Sequence, residues 1–239
     1  MNRWALYIDI EGTSRIYESH ESCFYSAFDA LLATICRIDR EVFPETPCRL
    51  FPHQVGGDGV VIVSEFAEGK PETPISIGVV LMQVLLVNGL VGKAGISEGT
   101  FADIQSCLPS VRSISNFESH SDRRAAEFTI FPVMGTALIN SHQLATCKPR
   151  GARMAVDPVT MQAIPDGVVI SHRDKNVLVV DWVHTQTNLV QEIVSKIDLQ
   201  LPSPDALGFK LKSYVERTGE ESDQEWKHFT LCLNGCLND

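Results

Sequence analysis

The run Gly56-Gly57-Asp58-Gly59 narrows the fold more than any other stretch of this chain. It separates two strand-like segments, Arg49 to Val55 and Gly59 to Phe66, and a glycine-rich turn between such runs predicts an antiparallel hairpin. A second segment, Tyr7-Ile8-Asp9-Ile10-Glu11-Gly12, closes an earlier strand in the same way, with an acidic residue beside glycine. Carboxylates at neighbouring strand ends, with glycine leaving room, can meet a divalent cation and a phosphate. The same residues also suit the ordinary roles of helix cap and turn aspartate.

Proline and glycine punctuation orders the rest. The first strand runs from Trp4 to Ile10, and Thr13 or Ser14 can cap the helix that follows. Ile16, Phe24, Phe28, Leu31, Leu32 and Ile35 lie at helical spacing up to about Arg40, with a break expected near Ser19–Ser22. Pro71 and Pro74 open an apolar helix that Gly89 ends. A strand from Val91 to Ile96 follows, then a polar surface excursion from Ser106 to Glu127. Phe128 to Val133 reads as a strand and Gly135 to Cys147 as a helix. Further strands fall at Arg153–Val156, Gly167–Ser171 and Val177–Val183, with helix and loop from Asn188 onward. This order predicts an α+β fold on a ferredoxin-like βαββαβ core, the sheet carrying its helices on one face. Residues 1–185 are expected to form that domain, and residues 186–239 a C-terminal helical extension packed on it.

A chain of 239 residues, 44% hydrophobic and 21% charged, can bury an ordinary globular core. The longest apolar run, Ile75 to Leu90, is interrupted by Ser76, Gly78, Gln83 and Asn88, so no membrane partner is expected. The start, Met1-Asn2-Arg3-Trp4, has no signal-peptide pattern, and seven cysteines without framework spacing read as reduced thiols, which predicts a cytoplasmic protein. Cys232 and Cys236 lack the second ligand pair of a zinc site. A net charge of −10 opposes non-specific binding of nucleic acid. It still allows a mononucleotide, whose phosphates a few local cations can meet. Lys93, Lys148, Arg150, Arg153, Arg173 and Lys175 are the candidates.

Taken together, the motifs resemble the class III nucleotidyl cyclases. Tyr7 to Gly12 resembles the first metal-binding strand, and Gly57-Asp58 the hairpin with the second metal aspartate. Lys93-Ala94-Gly95-Ile96-Ser97-Glu98-Gly99 resembles the Arg-Val-Gly-Ile-His-x-Gly strand, and a weaker match runs from Met134-Gly135 to Lys148-Pro149-Arg150-Gly151. The resemblance covers roughly residues 4–185. It implies a two-metal cyclisation of a nucleoside triphosphate, with Asp9, Asp58 and the Ile10 carbonyl holding two Mg²⁺ or Mn²⁺ ions. It further implies that backbone N–H groups from Glu11 through Gly12 and Thr13 to Ser14 face the phosphates. Lys93 replaces a phosphate-binding arginine, and a homodimer builds composite sites.

The departures bear on substrate. The transition-state asparagine and arginine of the family fall at Ile139 and Gln143, for which Asn140, His142, Arg150 or Arg153 are candidate substitutes. Thr13 and Ser14 replace the usual Phe-Thr. Gln54 and Pro132 stand where adenylate cyclases carry their purine-reading lysine and aspartate, and the guanine-reading pair is absent as well. With Phe51 and His53 nearby, this pocket suits a smaller base. The chain is in these respects most similar to the stand-alone bacterial pyrimidine cyclases of the Pycsar anti-phage defence system. Those make cyclic UMP or cyclic CMP for a separate effector protein, and UTP is placed ahead of CTP here. Other readings stay open: an adenylate or guanylate cyclase, a nucleotide-binding module without turnover, or a diguanylate cyclase. The last has Glu-Phe where Gly59 and Val60 stand.

Overall fold

The computed structural model describes residues 2–44, 50–55, 58–64, 71–103, 133–148, 150–161, 163–218 and 224–237. Outside that description lie the side chains of Ser14, Phe51 and Gln54, the expected excursion at 106–127, and residues 128–132 of the strand expected before Met134. The chain begins β1 (Asn2–Ile10), α1 (Thr13–Arg37), a π-helical turn (Ile38–Val42), β2 (Leu50–Val55), β3 (Gly59–Ser64), α2 (Glu72–Val87) and β4 (Gly92–Thr100). It continues β5 (Ala102–Asp103), β6 (Val133–Met134), α3 (Thr136–Thr146), β7 (Met154–Val156), β8 (Ile170–Arg173) and β9 (Leu178–Val180). Three helices close it: α4 (Asn188–Lys196), α5 (Pro204–Arg217) and α6 (Gln224–Cys232).

The main sheet has seven strands in the order β2-β3-β1-β4-β7-β9-β8, and β5 and β6 pair separately. β1 lies antiparallel between β3 and β4, and β2 antiparallel to β3. That arrangement is the expected ferredoxin-like core, and the fold is α+β. β1 can occupy the centre because it is apolar on both faces: Trp4, Leu6, Ile8 and Ile10 on one, Ala5 and Tyr7 on the other. β4 runs on to Thr100, past Ile96, because it pairs with β1 along its whole length, from Ile10 opposite Gly92 to Asn2 opposite Thr100.

The crossover helices α1 and α2 pack on the first face, as expected for the core; α3, outside the core, packs on the second. Gly95 and Gly99 of β4 permit the close approach of α3. A Cβ on Gly95 would overlap the Ser141 carbonyl, and one on Gly99 would lie 2.7 Å from the Ala137 nitrogen. The break expected at Ser19–Ser22 does not occur. α1 continues unbroken for 25 residues because it contains no proline or glycine, and Phe24, Ala27, Leu31 and Ile35 form one buried stripe. The polar residues Glu18, Glu21 and Ser22 are exposed on its surface.

α2 is buried almost all round, from Thr73 to Leu86. Its outer side is covered by the C-terminal helices, whose Val190, Ile193, Leu207 and Leu211 join the same hydrophobic cluster. Two buried polar residues of α2 find their partners in the segment that leads from β9 into α4. Ser76 Oγ lies 2.7 Å from Thr187 Oγ1, and Gln83 Nε2 donates to the Trp182 carbonyl at 2.9 Å. Among the described residues no helix is long and apolar enough to cross a membrane.

Candidate active site

The strand register brings the acidic segments together. Asp9, one residue before the end of β1, is paired with Gly59 at the start of β3 and with Lys93 at the start of β4. Asp58 occupies the turn just before Gly59. Past the strand, Gly12 adopts the left-handed conformation (φ 76°) that turns the chain into α1, and as the N-cap it has no side chain to cap the helix. Thr13 then bridges the two segments: its hydroxyl contacts the Ile10 carbonyl oxygen at 2.9 Å and donates to Asp58 Oδ2. The expected phosphate-facing N–H of Glu11 is already committed, donating to the Val91 carbonyl at 2.9 Å. It therefore drops out of the anion-binding set.

Lys93 Nζ lies 3.0 Å from Asp9 Oδ2 and 3.1 Å from Glu11 Oε1. These side chains are half-buried, at 24%, 15% and 19% exposed respectively, so their charges are only partly screened. Burial holds the Asp9 carboxyl above its ordinary range; Lys93 opposes the shift, while Asp58 and Glu11 reinforce it. Burial also works against the Lys93 charge, but Glu11 and Asp9 outweigh it and leave the ammonium above the usual lysine value. Tyr7 is pushed above the usual tyrosine range by burial, then by the nearby Asp9 and Asp58 carboxylates. The Tyr7 ring meets His142 of α3 edge-on, with centroids 5.0 Å apart.

Two carboxylates thus flank one ammonium, with Asp58 acting on Asp9 from the neighbouring turn, an excess of negative charge on hard oxygen donors. That donor chemistry fits Mg²⁺ or Mn²⁺. Among the described residues no group of three or more His, Cys, Asp or Glu side chains forms a ready-made cage. Backbone carbonyls, phosphates and water would complete the coordination, as is usual for Mg²⁺.

Other candidates lie elsewhere. Gln54 sits on β2 opposite Val60, with its side chain outside the described residues, as is Pro132. Arg153 is 1% exposed and donates to the Leu144 carbonyl at 2.9 Å, so its guanidinium caps α3 from inside the core. Arg173 and Lys175 belong to the β8–β9 hairpin at the far edge, four strands from β1, or ~19 Å at ordinary strand spacing. Ile139 and Gln143 are both exposed on α3.

Sequence reasoning did not single out Tyr7, Glu11 or Trp226 for their side chains. Trp226 Nε1, from α6, donates to Glu11 Oε2 at 3.1 Å. Tyr7 was legible in principle, since period-two alternation puts it on the same face as Asp9. Trp226 was not, because 215 residues separate it from Glu11.

No protein-family model matches the sequence, and no curated protein matches it. Among solved structures, the chain is similar to the guanylyl cyclase Cya2, at 14% identity over 75% of this chain and 90% of that one, with a TM-score of 0.49. It is similar to the adenylyl cyclase CyaB from P. aeruginosa, at 11% identity over 75% and 92% of the two chains (TM-score 0.47). A non-canonical dimeric guanylyl cyclase domain of the RhoGC fusion protein from the aquatic fungus Blastocladiella emersonii is similar at 10% identity, over 75% and 94% (TM-score 0.46).

Proposed function

We propose that this chain is a metal-dependent nucleotidyl cyclase. In this reading it converts a pyrimidine nucleoside triphosphate, UTP ahead of CTP, to the 3′,5′-cyclic nucleotide and pyrophosphate, and works as a homodimer. The observation that carries the reading is the row Gly59–Asp9–Lys93 with Asp58 at its end, where two strand-end carboxylates meet beside a helix N-terminus. Asp9, Asp58 and the Ile10 carbonyl would hold two Mg²⁺ or Mn²⁺ ions. Such ions, when bound, favour loss of the 3′-hydroxyl proton and neutralise the triphosphate and the leaving pyrophosphate.

The chain's own residues prepare that chemistry. Thr13 fixes Asp58 against the end of β1, and Tyr7 stands beside Asp9 on the same face of the strand. Lys93 stands where a phosphate can meet its ammonium, as a point charge rather than a bidentate fork. The uncapped start of α1 offers first-turn N–H groups beyond Glu11 to the same phosphates. The preference for pyrimidine is supported by Gln54 and Pro132 replacing the purine-reading pair. The role as a second-messenger synthase in antiviral defence, acting on a separate effector, is supported by the resemblance to the stand-alone pyrimidine cyclases.

A second reading, a nucleotide-binding module without turnover, is favoured by Ile139, 57% exposed where the family has its transition-state asparagine. One experiment decides. The four ribonucleoside triphosphates compete in one reaction with Mn²⁺, and the products are weighed by mass spectrometry. Cyclic UMP or cyclic CMP as the main product is the expected result. A cyclic purine nucleotide would overturn the substrate assignment, and no product from any triphosphate would favour the binding module.

A further inference from the structure

Lys93 pairs with two carboxylates that do different work. Asp9 belongs to the proposed metal pair, whereas Glu11 does not. Glu11 is instead held at both ends: its N–H donates to the Val91 carbonyl at 2.9 Å, and its Oε2 accepts from Trp226 at 3.1 Å. The helix supplying Trp226 is itself anchored. The Ala152 N–H donates to Thr230 Oγ1 at 3.0 Å, and Asn234 Nδ2 donates to the Ala152 carbonyl at 2.8 Å. One residue on, the Arg153 carbonyl accepts from the N–H of Ala94, the neighbour of Lys93. The helix that braces Glu11 is therefore tied through Ala152 and Arg153 to the start of β4.

We propose that Lys93 is the internal counter-ion of this site, holding Asp9 until a divalent cation arrives, and that Glu11, braced by Trp226, receives the ammonium when the cation claims Asp9. The inference rests on the metal-dependent reading above. An ammonium and a divalent cation cannot both sit at contact distance on one carboxylate without strong repulsion in a half-buried setting. Glu11 resolves that conflict, because Lys93 already touches it and needs only to release Asp9. With no cation and no Lys93, Asp9, Glu11 and Asp58 would repel one another unrelieved. Glu11 and Trp226 are thus positioning residues that act through Lys93. They keep its ammonium beside the metal site, where an incoming phosphate can find it.

The test is Mn²⁺ binding, read from the loss of the free-ion electron paramagnetic resonance signal, alongside thermal melting with and without Mn²⁺. Lys93→Gln should bind Mn²⁺ roughly fivefold or more tightly than wild type, a half-buried charge pair being worth somewhat more than an exposed one. Without metal it should melt at a lower temperature. Glu11→Gln should bind Mn²⁺ roughly fivefold more weakly, and that loss should shrink when combined with Lys93→Gln. Trp226→Phe should follow Glu11→Gln by a smaller margin, and Lys93→Arg, which keeps the charge, should stay near wild type. Structural damage weakens binding in every variant, so the opposite signs at 93 and 11 separate the two explanations. Binding no tighter in Lys93→Gln, with wild-type binding that still requires Asp9, overturns the counter-ion role alone. Wild-type Mn²⁺ binding that survives Asp9→Asn intact overturns the metal-dependent reading, and this inference with it.

Discussion

Lys93 and Arg153 are close neighbours in the fold, since Ala94, beside Lys93, donates its N–H to the Arg153 carbonyl. Their charges lead different lives. The Lys93 ammonium is about a quarter exposed at an open strand end, with a carboxylate on either side. The Arg153 guanidinium is fully buried and donates to the Leu144 and Cys147 carbonyls and to Cys147 Sγ. Those carbonyls close α3, where helix acceptors lack partners and the helix dipole favours a cation. A cation shared among carboxylates can be exchanged for another cation or offered to a phosphate. One enclosed by neutral carbonyls holds a helix in place. The first marks a site and the second a joint.

The strongest attempt to break this contrast is to remove the acidic partners. Asp9→Ala and Asp58→Ala should each lower cyclisation by on the order of a hundredfold or more, as expected when stabilisation of developing charge is lost. The fold should remain, which circular dichroism would report. Undiminished activity in either variant would sink the site assignment. Arg153→Met should do the reverse. It orphans the carbonyls at the end of α3 and should cost about 3 kcal/mol of stability in urea unfolding. Activity per folded molecule should stay near wild type, and a stable but inactive Arg153→Met would move Arg153 from joint to site.

How much of this was legible in the sequence depends on the range of the interaction that fixes each part. The antiparallel pairing of β2 with β3 and the helix after Pro71 were readable because turn chemistry and proline act locally. The nearness of Asp9 and Asp58 was also readable, through the order of strand ends. The continuity of α1 through Ser19–Ser22 was not, since local polarity there is overridden by the buried stripe from Phe24 to Ile35. Nor could residue type tell Arg153 from Lys93. Both precede alternating apolar residues, and only burial beneath α3 separates them. The α6 contact on Glu11 was the least accessible, because it depends on how the C-terminal helices settle on the completed sheet.

Tyr7→Phe probes the same end of the sheet more gently. The ring keeps its place against His142, and only the hydroxyl, on the same strand face as Asp9, is lost. Losing one polar neighbour of a half-buried carboxylate should cost about threefold to tenfold in activity, with little change in stability. Loss as large as that of Asp9→Ala would instead give Tyr7 direct contact with substrate. An unchanged rate would make the hydroxyl a spectator.

The smallest expected effect is the pH dependence of Asp9 itself. Burial, with help from Asp58 and Glu11, holds this carboxyl above its ordinary value of 3.8 despite Lys93. A group whose folded pKa is raised binds its proton more tightly in the folded state. Its contribution to stability is therefore complete below the ordinary value and is lost as pH rises through the raised one. In metal-free protein, the urea midpoint of wild type relative to Asp9→Asn should fall as pH rises across that window, within a scan from about pH 3.5 to 7. In the proposed metal-dependent reading Mn²⁺ needs the ionised carboxylate, so its stabilisation of wild type should grow over the same window. A relative midpoint that climbs with pH in the absence of metal would mean that Lys93 outweighs burial at Asp9. The cost of Arg153→Met involves no carboxylate and should stay level throughout, which separates the exchangeable cation from the structural one without any substrate present.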